Sequence, residues 1–165
     1  MRALAVLAFL AAPLSAQGTL ILTPDGLGPV RIGMTQKQVI AAIGGTLEGD
    51  AYDSEDVCVE KESSKLRGVG FLFEEGKLTR ISLGHGAEIV TAGGIGIGTA
   101  AIAVRQAYRG KLKSEPNIYI EKPAEYLTYW AVPDERGIRF EVNEKRKVYV
   151  ISAGGPSIEY VEGCA

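Results

Sequence analysis

The chain has 165 residues, with 18 basic side chains against 20 acidic ones and a net charge of −2. That balance leaves no basic face to neutralise phosphates, and it argues against a nucleic-acid partner. A hydrophobic fraction of 46% with 23% charged residues suits a folded core and excludes a disordered chain.

In chain order, the first element is a targeting segment. Arg2 gives a positive start, an apolar run follows from Ala3 to Ala12, and small residues end at Ser15-Ala16. This is the form of a secretory signal peptide, residues 1–16, cut after Ala16. The apolar run is shorter than the ~20 residues a membrane span needs. The expected product is a periplasmic or secreted protein with no stable membrane anchor. Its net charge is −3, because Arg2 leaves and 17 basic residues face 20 acidic ones. Export would place both cysteines, Cys58 and Cys164, in an oxidising space, where an even pair predicts one disulfide. That bond would tie the C-terminal IEYVEGCA segment back onto the first half of the chain.

The mature chain reads as one unit written twice, residues 17–90 and residues 91–165, in one compact two-repeat domain. Gly28–Leu47 and Gly93–Leu112 superpose without a gap. Ile32 falls on Ile97, Gly33 on Gly98, Val39 on Val104, Ala42 on Ala107, Gly45 on Gly110 and Leu47 on Leu112. Such self-similarity speaks to architecture more than to activity. In the first copy a Gly/Pro turn and a brief extended Val30–Ile32 lead to Thr35, a helix N-cap with Gln38 completing a capping box. Val39, Ile40 and Ile43 give the helix one apolar face, and Gly44-Gly45 ends it. The second copy starts its helix at Thr99 or Ala100, without the box, and puts Tyr108 at the place of Ile43.

Strands are predicted over 56–61, 66–73 and 77–83 in the first copy. In the second they are predicted over 118–121, 126–132, 137–142 and 147–153. The class is therefore α+β, with each short helix packed on an antiparallel meander whose other face is more open.

The string IGMTQKQVIAAIGG, Ile32–Gly45, resembles the helix-opening motif of the beta-lactamase inhibitor protein group. It is also similar to the small lipoprotein of the outer-membrane barrel-assembly machinery, which carries one such unit. In the inhibitors, two tandem helix-plus-sheet units form a curved sheet that clasps a partner. The resemblance thus implies a tandem fold and interfacial inhibition of an enzyme. The rest of the chain looks like exported bacterial proteins of no established activity that end in a similar EGC motif.

Chemistry is sparse. His85, between glycines at the junction of the copies, is the one candidate general base, and a lone loop histidine is more often structural or merely exposed. The run Gly93–Gly98 fails the spacing of a dinucleotide fingerprint, and the repeat accounts for its glycines. The acidic stretch Glu48, Asp50, Asp53, Glu55 and Asp56 lacks EF-hand spacing and reads as a solvated loop. The turn Glu144–Lys147 reads as a charged hairpin tip. No cofactor, no metal and no catalytic residue is expected.

The aromatic group Tyr119, Tyr126, Tyr129 and Trp130 carries more information. On an extended strand Tyr126 and Trp130 share one face and Tyr129 takes the other. Tyrosine and tryptophan on an open sheet face are the residues that anchor protein interfaces. The expectation is a binding module, not an enzyme. Its partner would be a protein of the envelope or medium, with an enzyme that it inhibits as one form of it, and its anchors would sit on the outer sheet face of the second copy. The alternatives are an envelope-assembly scaffold and an enzyme centred on His85.

Overall fold

A computed structural model describes residues 20–49 and 58–164. The signal segment 1–16 and the acidic residues Asp50, Asp53, Glu55 and Asp56 lie outside the described residues.

The described chain is α+β, as composition and periodicity predict. Three short strands come first, β1 (Ile21–Thr23), β2 (Gly26–Leu27) and β3 (Val30–Arg31). Helix α1 (Gln36–Ile43) follows, then β4 (Leu47–Glu48), β5 (Cys58–Ser63), β6 (Val69–Glu74), β7 (Lys77–Leu83) and β8 (Val90–Thr91). Helix α2 (Ala101–Ala107) precedes β9 (Leu112–Pro116), β10 (Glu125–Val132), β11 (Arg136–Val142) and β12 (Val148–Gly154), and a 3-10 turn spans Pro156–Glu159.

Thr35 caps α1 as its sequence requires. Its hydroxyl accepts from the Gln38 amide while the Gln38 side chain accepts from the Thr35 amide. At α2 the cap is Ala100, which has no side-chain oxygen to offer.

The main sheet is antiparallel throughout, in the order β4-β5-β6-β7-β12-β11-β10-β9. The four strands after α1 and the four after α2 therefore lie side by side and meet through their last members. At that seam Ser82 stands opposite Ser152, with the hydroxyls 3.2 Å apart. A small second sheet, β3-β2-β1-β8, contains a parallel β1·β8 pair that bridges distant parts of the chain.

One face of the main sheet carries the core. Phe71, Phe73, Ile81, Leu83, Leu127, Ile138, Phe140 and Ile151 are almost fully buried there, against Val39 and Ile43 of α1 and Val104 of α2. Side chains of this size contribute roughly 1.5–3 kcal/mol each when buried. The other face carries polar and charged residues such as Arg80, Ser82, Thr128 and Arg139 beside Leu72, Tyr126 and Trp130, and it is the face on which the C-terminal residues come to rest.

Candidate functional site

The residues after β12 turn back as a strap across the outer face of the main sheet. Gly154 makes the turn possible. It sits at φ +145°, and a Cβ there would stand 2.1 Å from the Thr79 carbonyl oxygen, which accepts from the Gly155 amide. The strap packs on β11, β12 and β7. Ile158 is its buried anchor, at 1% exposure. It fits because Gly137 has no side chain, since a Cβ there would meet Trp130 at 2.7 Å and Ile158 at 3.0 Å. The strap ends in the expected disulfide, Cys164 to Cys58 on β5, 106 residues apart.

Two arginines of the outer face flank the strap. On the first flank Arg80 of β7 donates through Nη1 to the carbonyls of Ser157 (3.0 Å) and Tyr160 (3.3 Å), and through Nη2 to Glu60. Tyr160 adds a bond from its hydroxyl to Glu74, 2.9 Å. On the second flank Arg139 of β11 is equally buried. Its guanidinium lies 3.9 Å over the Tyr126 ring, and its nearest carboxylate oxygen, on Glu159, is 3.9 Å from Nη1. Its Nε has no acceptor among the described residues, and neither does the hydroxyl of Thr128, the residue paired with Arg139 across β10·β11. A cavity of about 650 Å³ opens here, lined by Lys113, Asn117, Tyr126, Arg139, Glu159 and Val161 among others.

The four aromatic residues expected to bind a partner are divided by this arrangement. Tyr126 and Trp130 share the outer face and Tyr129 takes the core side, where its ring lies 4.9 Å from that of Tyr108. Tyr126 is buried at 3% exposure, because Arg139 from the next strand covers it, so it is not an exposed anchor. Trp130 and Tyr129 are half-buried.

The strand expected over Ile118–Glu121 is absent. Strand β9 ends at Pro116, and the Asn117 side chain accepts from the amides of Tyr119 and Ile120, closing a local turn instead of a ladder. Tyr119 therefore stands on a loop, 62% exposed, and its hydroxyl donates to Glu162 of the strap.

That loop and the strap together make an apolar surface. Six large hydrophobic residues are exposed among the described residues, and four of them gather here: Ile118 and Tyr119 from the loop, Tyr160 and Val161 from the strap. Val161 lines the cavity shared with Ile118 and also the groove shared with Tyr119 and Tyr160. The phenols of Tyr119 and Tyr160 are both pushed above their ordinary pKa, first because each hydroxyl donates to a glutamate, Glu162 and Glu74 respectively. Beneath them the Tyr149 phenol is raised further by burial and by its bond to Glu141 (2.7 Å). Both exposed rings are thus held neutral and fixed in direction, as interface anchors need to be.

Ile118, Tyr160 and Val161 are not among the sequence candidates, although the expected disulfide already returns the tail to the first half of the chain. Arg80 and Arg139 carried a signal as well, each a cation in the middle of a strand between apolar residues (KLTRISL, RGIRFEV).

His85 is exposed, beside a cavity of about 620 Å³ that also touches Glu60, Glu62 and Ser82. It makes no ion pair or hydrogen bond with another described residue. The glycine run supports the loop before α2, where the Gly98 amide donates to the Val148 carbonyl. The turn at Glu144–Lys147 is built by Asn143, whose side chain accepts from the amides of Lys145 and Lys147. No group of metal-ligating side chains occurs among the described residues, and none of their helices is long and apolar enough to cross a membrane.

Compared with protein-family models, with curated proteins and with solved structures, the chain matches none of them.

Proposed function

We propose that this chain is an exported protein-binding module that docks a protein of the envelope or the medium through the loop-and-strap surface. The observation that carries this reading is the gathering in one place of Ile118, Tyr119, Tyr160 and Val161, four of the six large hydrophobic residues exposed among the described residues. Contiguous exposed apolar surface with oriented tyrosines marks interaction sites in exported and cytosolic proteins alike. The disulfide supports the location, because it is stable outside the reducing cytosol and it fixes the strap that bears half of the surface. The inhibitor resemblance of Ile32–Gly45 makes a secreted or periplasmic enzyme the first partner to try. Binding would block that enzyme by covering it, with no bond made or broken.

The test uses the mature chain, residues 17–165, crosslinked in periplasmic and culture-medium extracts. The captured protein is then purified and its affinity measured for the parent and for a Tyr160→Ser, Val161→Ser variant. Truncating two such anchors should weaken binding by about a hundredfold, roughly 1.4 kcal/mol for each tenfold step. An unchanged affinity in a folded variant would remove the surface from the interface. Failure to capture any protein would remove the binding module itself.

A further inference from the structure

Arg139 is the polar group whose chemistry the fold uses least. A guanidinium carries five N–H donors in one plane, and buried donors are almost always paired. Arg139 is 6% exposed, yet it makes no hydrogen bond with a described residue: its Nε, like that of Arg80, meets no acceptor, and the 3.9 Å from Nη1 to Glu159 is beyond hydrogen-bond reach. The strap does not need it. Arg80 already holds the carbonyls of Ser157 and Tyr160, on either side of Glu159, so the strap's path is set from the other flank. Stacking on Tyr126 explains the orientation of the side chain but engages only its flat face. The donors lie on the edge, the part that recognises a carboxylate in bidentate fashion.

The cavity wall carries two cations and two carboxylates, Lys113 beside Glu115 and Arg139 facing Glu159 at 3.9 Å. Lys113 stands on its wall, 3.1 Å from Glu115, so that acid is already matched by a cation. Arg139 keeps its donors. The cavity is about 650 Å³, large enough for a side chain, and its apolar rim is formed by Ile118 and Val161 of the docking surface.

We propose that the cavity in front of Arg139 is a carboxylate-binding site that receives an acidic side chain of the docked protein, flanked by apolar residues seated on Ile118 and Val161. This rests on the reading of the loop-and-strap surface as an interface. It assigns that partner a glutamate or aspartate at the centre of its contact. The bond would be charge-assisted and would weaken with salt.

The titration needs no identified partner. The ¹⁵N-labelled mature protein is followed by NMR as acetyl-Leu-Glu-Leu-amide is added. The Arg139 Nε–H signal is assigned by its loss in Arg139→Lys. The expected result is a saturable shift of that signal and of the Thr128 amide, in the millimolar range for so small a probe. Binding should be at least about tenfold weaker for the Gln peptide and for Arg139→Gln. Glu159→Gln, which removes the competing carboxylate, should bind more tightly. If Arg139→Gln unfolds, Lys113→Gln and Glu159→Gln carry the test with the cavity intact.

No saturable shift, equal binding of Glu and Gln peptides, or loss of binding in Glu159→Gln would overturn the proposal. Acetate or inorganic phosphate binding as tightly as the peptide would assign the cavity to a free anion and overturn the partner-borne source. The capture experiment with the Tyr160/Val161 variant is scored separately. A saturable peptide titration with no captured protein leaves the site standing and the docking reading refuted. The converse removes only the site.

Discussion

The two flanks of the C-terminal strap bury one arginine each, both at 6% exposure, and use them differently. Arg80 donates to two strap carbonyls and a glutamate, and the disulfide lies on its side. Arg139 rests on a tyrosine ring with its edge donors unengaged beside a cavity. Burial alone says nothing about role: the Nε of each lacks an acceptor among the described residues, and only the Nη groups of Arg80 bond the strap and Glu60. The terminal nitrogens of Arg139 make no hydrogen bond with a described residue and the side chain lines a cavity, so the first flank is a fastening and the second is left for the ligand proposed above.

The largest effect expected from breaking this comparison is at the disulfide. Cys164→Ser opens a loop of about a hundred residues, for which the chain-entropy model gives roughly 4–5 kcal/mol. Thermal or denaturant melts of the oxidised parent and the variant would show the loss, and reduction of the parent should reproduce it.

Next is Arg80→Met, which leaves the carbonyls of Ser157 and Tyr160 without their donor and should cost about 2–3 kcal/mol. Arg139→Met breaks no hydrogen bond and keeps an apolar stem over Tyr126, so it should cost under about 1 kcal/mol. Equal losses at the two arginines would erase the distinction between the flanks.

A smaller effect should appear at alkaline pH. Tyr149, on the second flank, has its folded pKa raised above the ordinary 10.0 by burial and by Glu141. Its stabilising contribution is complete below about pH 10, where the phenol is neutral in both states. It is lost as pH rises, because the unfolded chain releases that proton first. Tyr149→Phe should flatten this fall in stability measured between pH 9 and pH 11, and an unchanged slope would show that Tyr149 is not its source.

Much of this was legible in the residues. Thr35 and Gln38 announce the start of α1 through a local hydrogen-bond pair, and Lys77–Leu83 is bounded as predicted by its alternation and its turn. Two cysteines, read together with a signal-like N-terminus, predicted the bond that fixes the strap. The missed features are those that depend on distant neighbours or on a competing side chain. The parallel β1·β8 pair joins segments about seventy residues apart, which no local periodicity reports. The Asn117 side chain satisfied the amides of Tyr119 and Ile120, turning a strand-like NIYI into a loop. Tyr126 could be assigned to the outer face by alternation, but its cover, Arg139, comes from the register of β10 against β11. The candidate surface was half readable. Tyr119 was expected on a strand and stands on a loop, and Tyr160 and Val161 were hidden in a tail whose place only the disulfide indicated.

The most direct measurement of the account is site-specific photocrosslinking with a benzophenone side chain at Val161, beside the same group at Ile102 on α2. Both positions are exposed and apolar, and Ile102 belongs to the helix on the opposite side of the sheet. The account predicts a single crosslinked protein from Val161 and none from Ile102. Crosslinks from Ile102 alone, or equal crosslinking at both positions, would contradict the assignment of the loop-and-strap surface as the docking site.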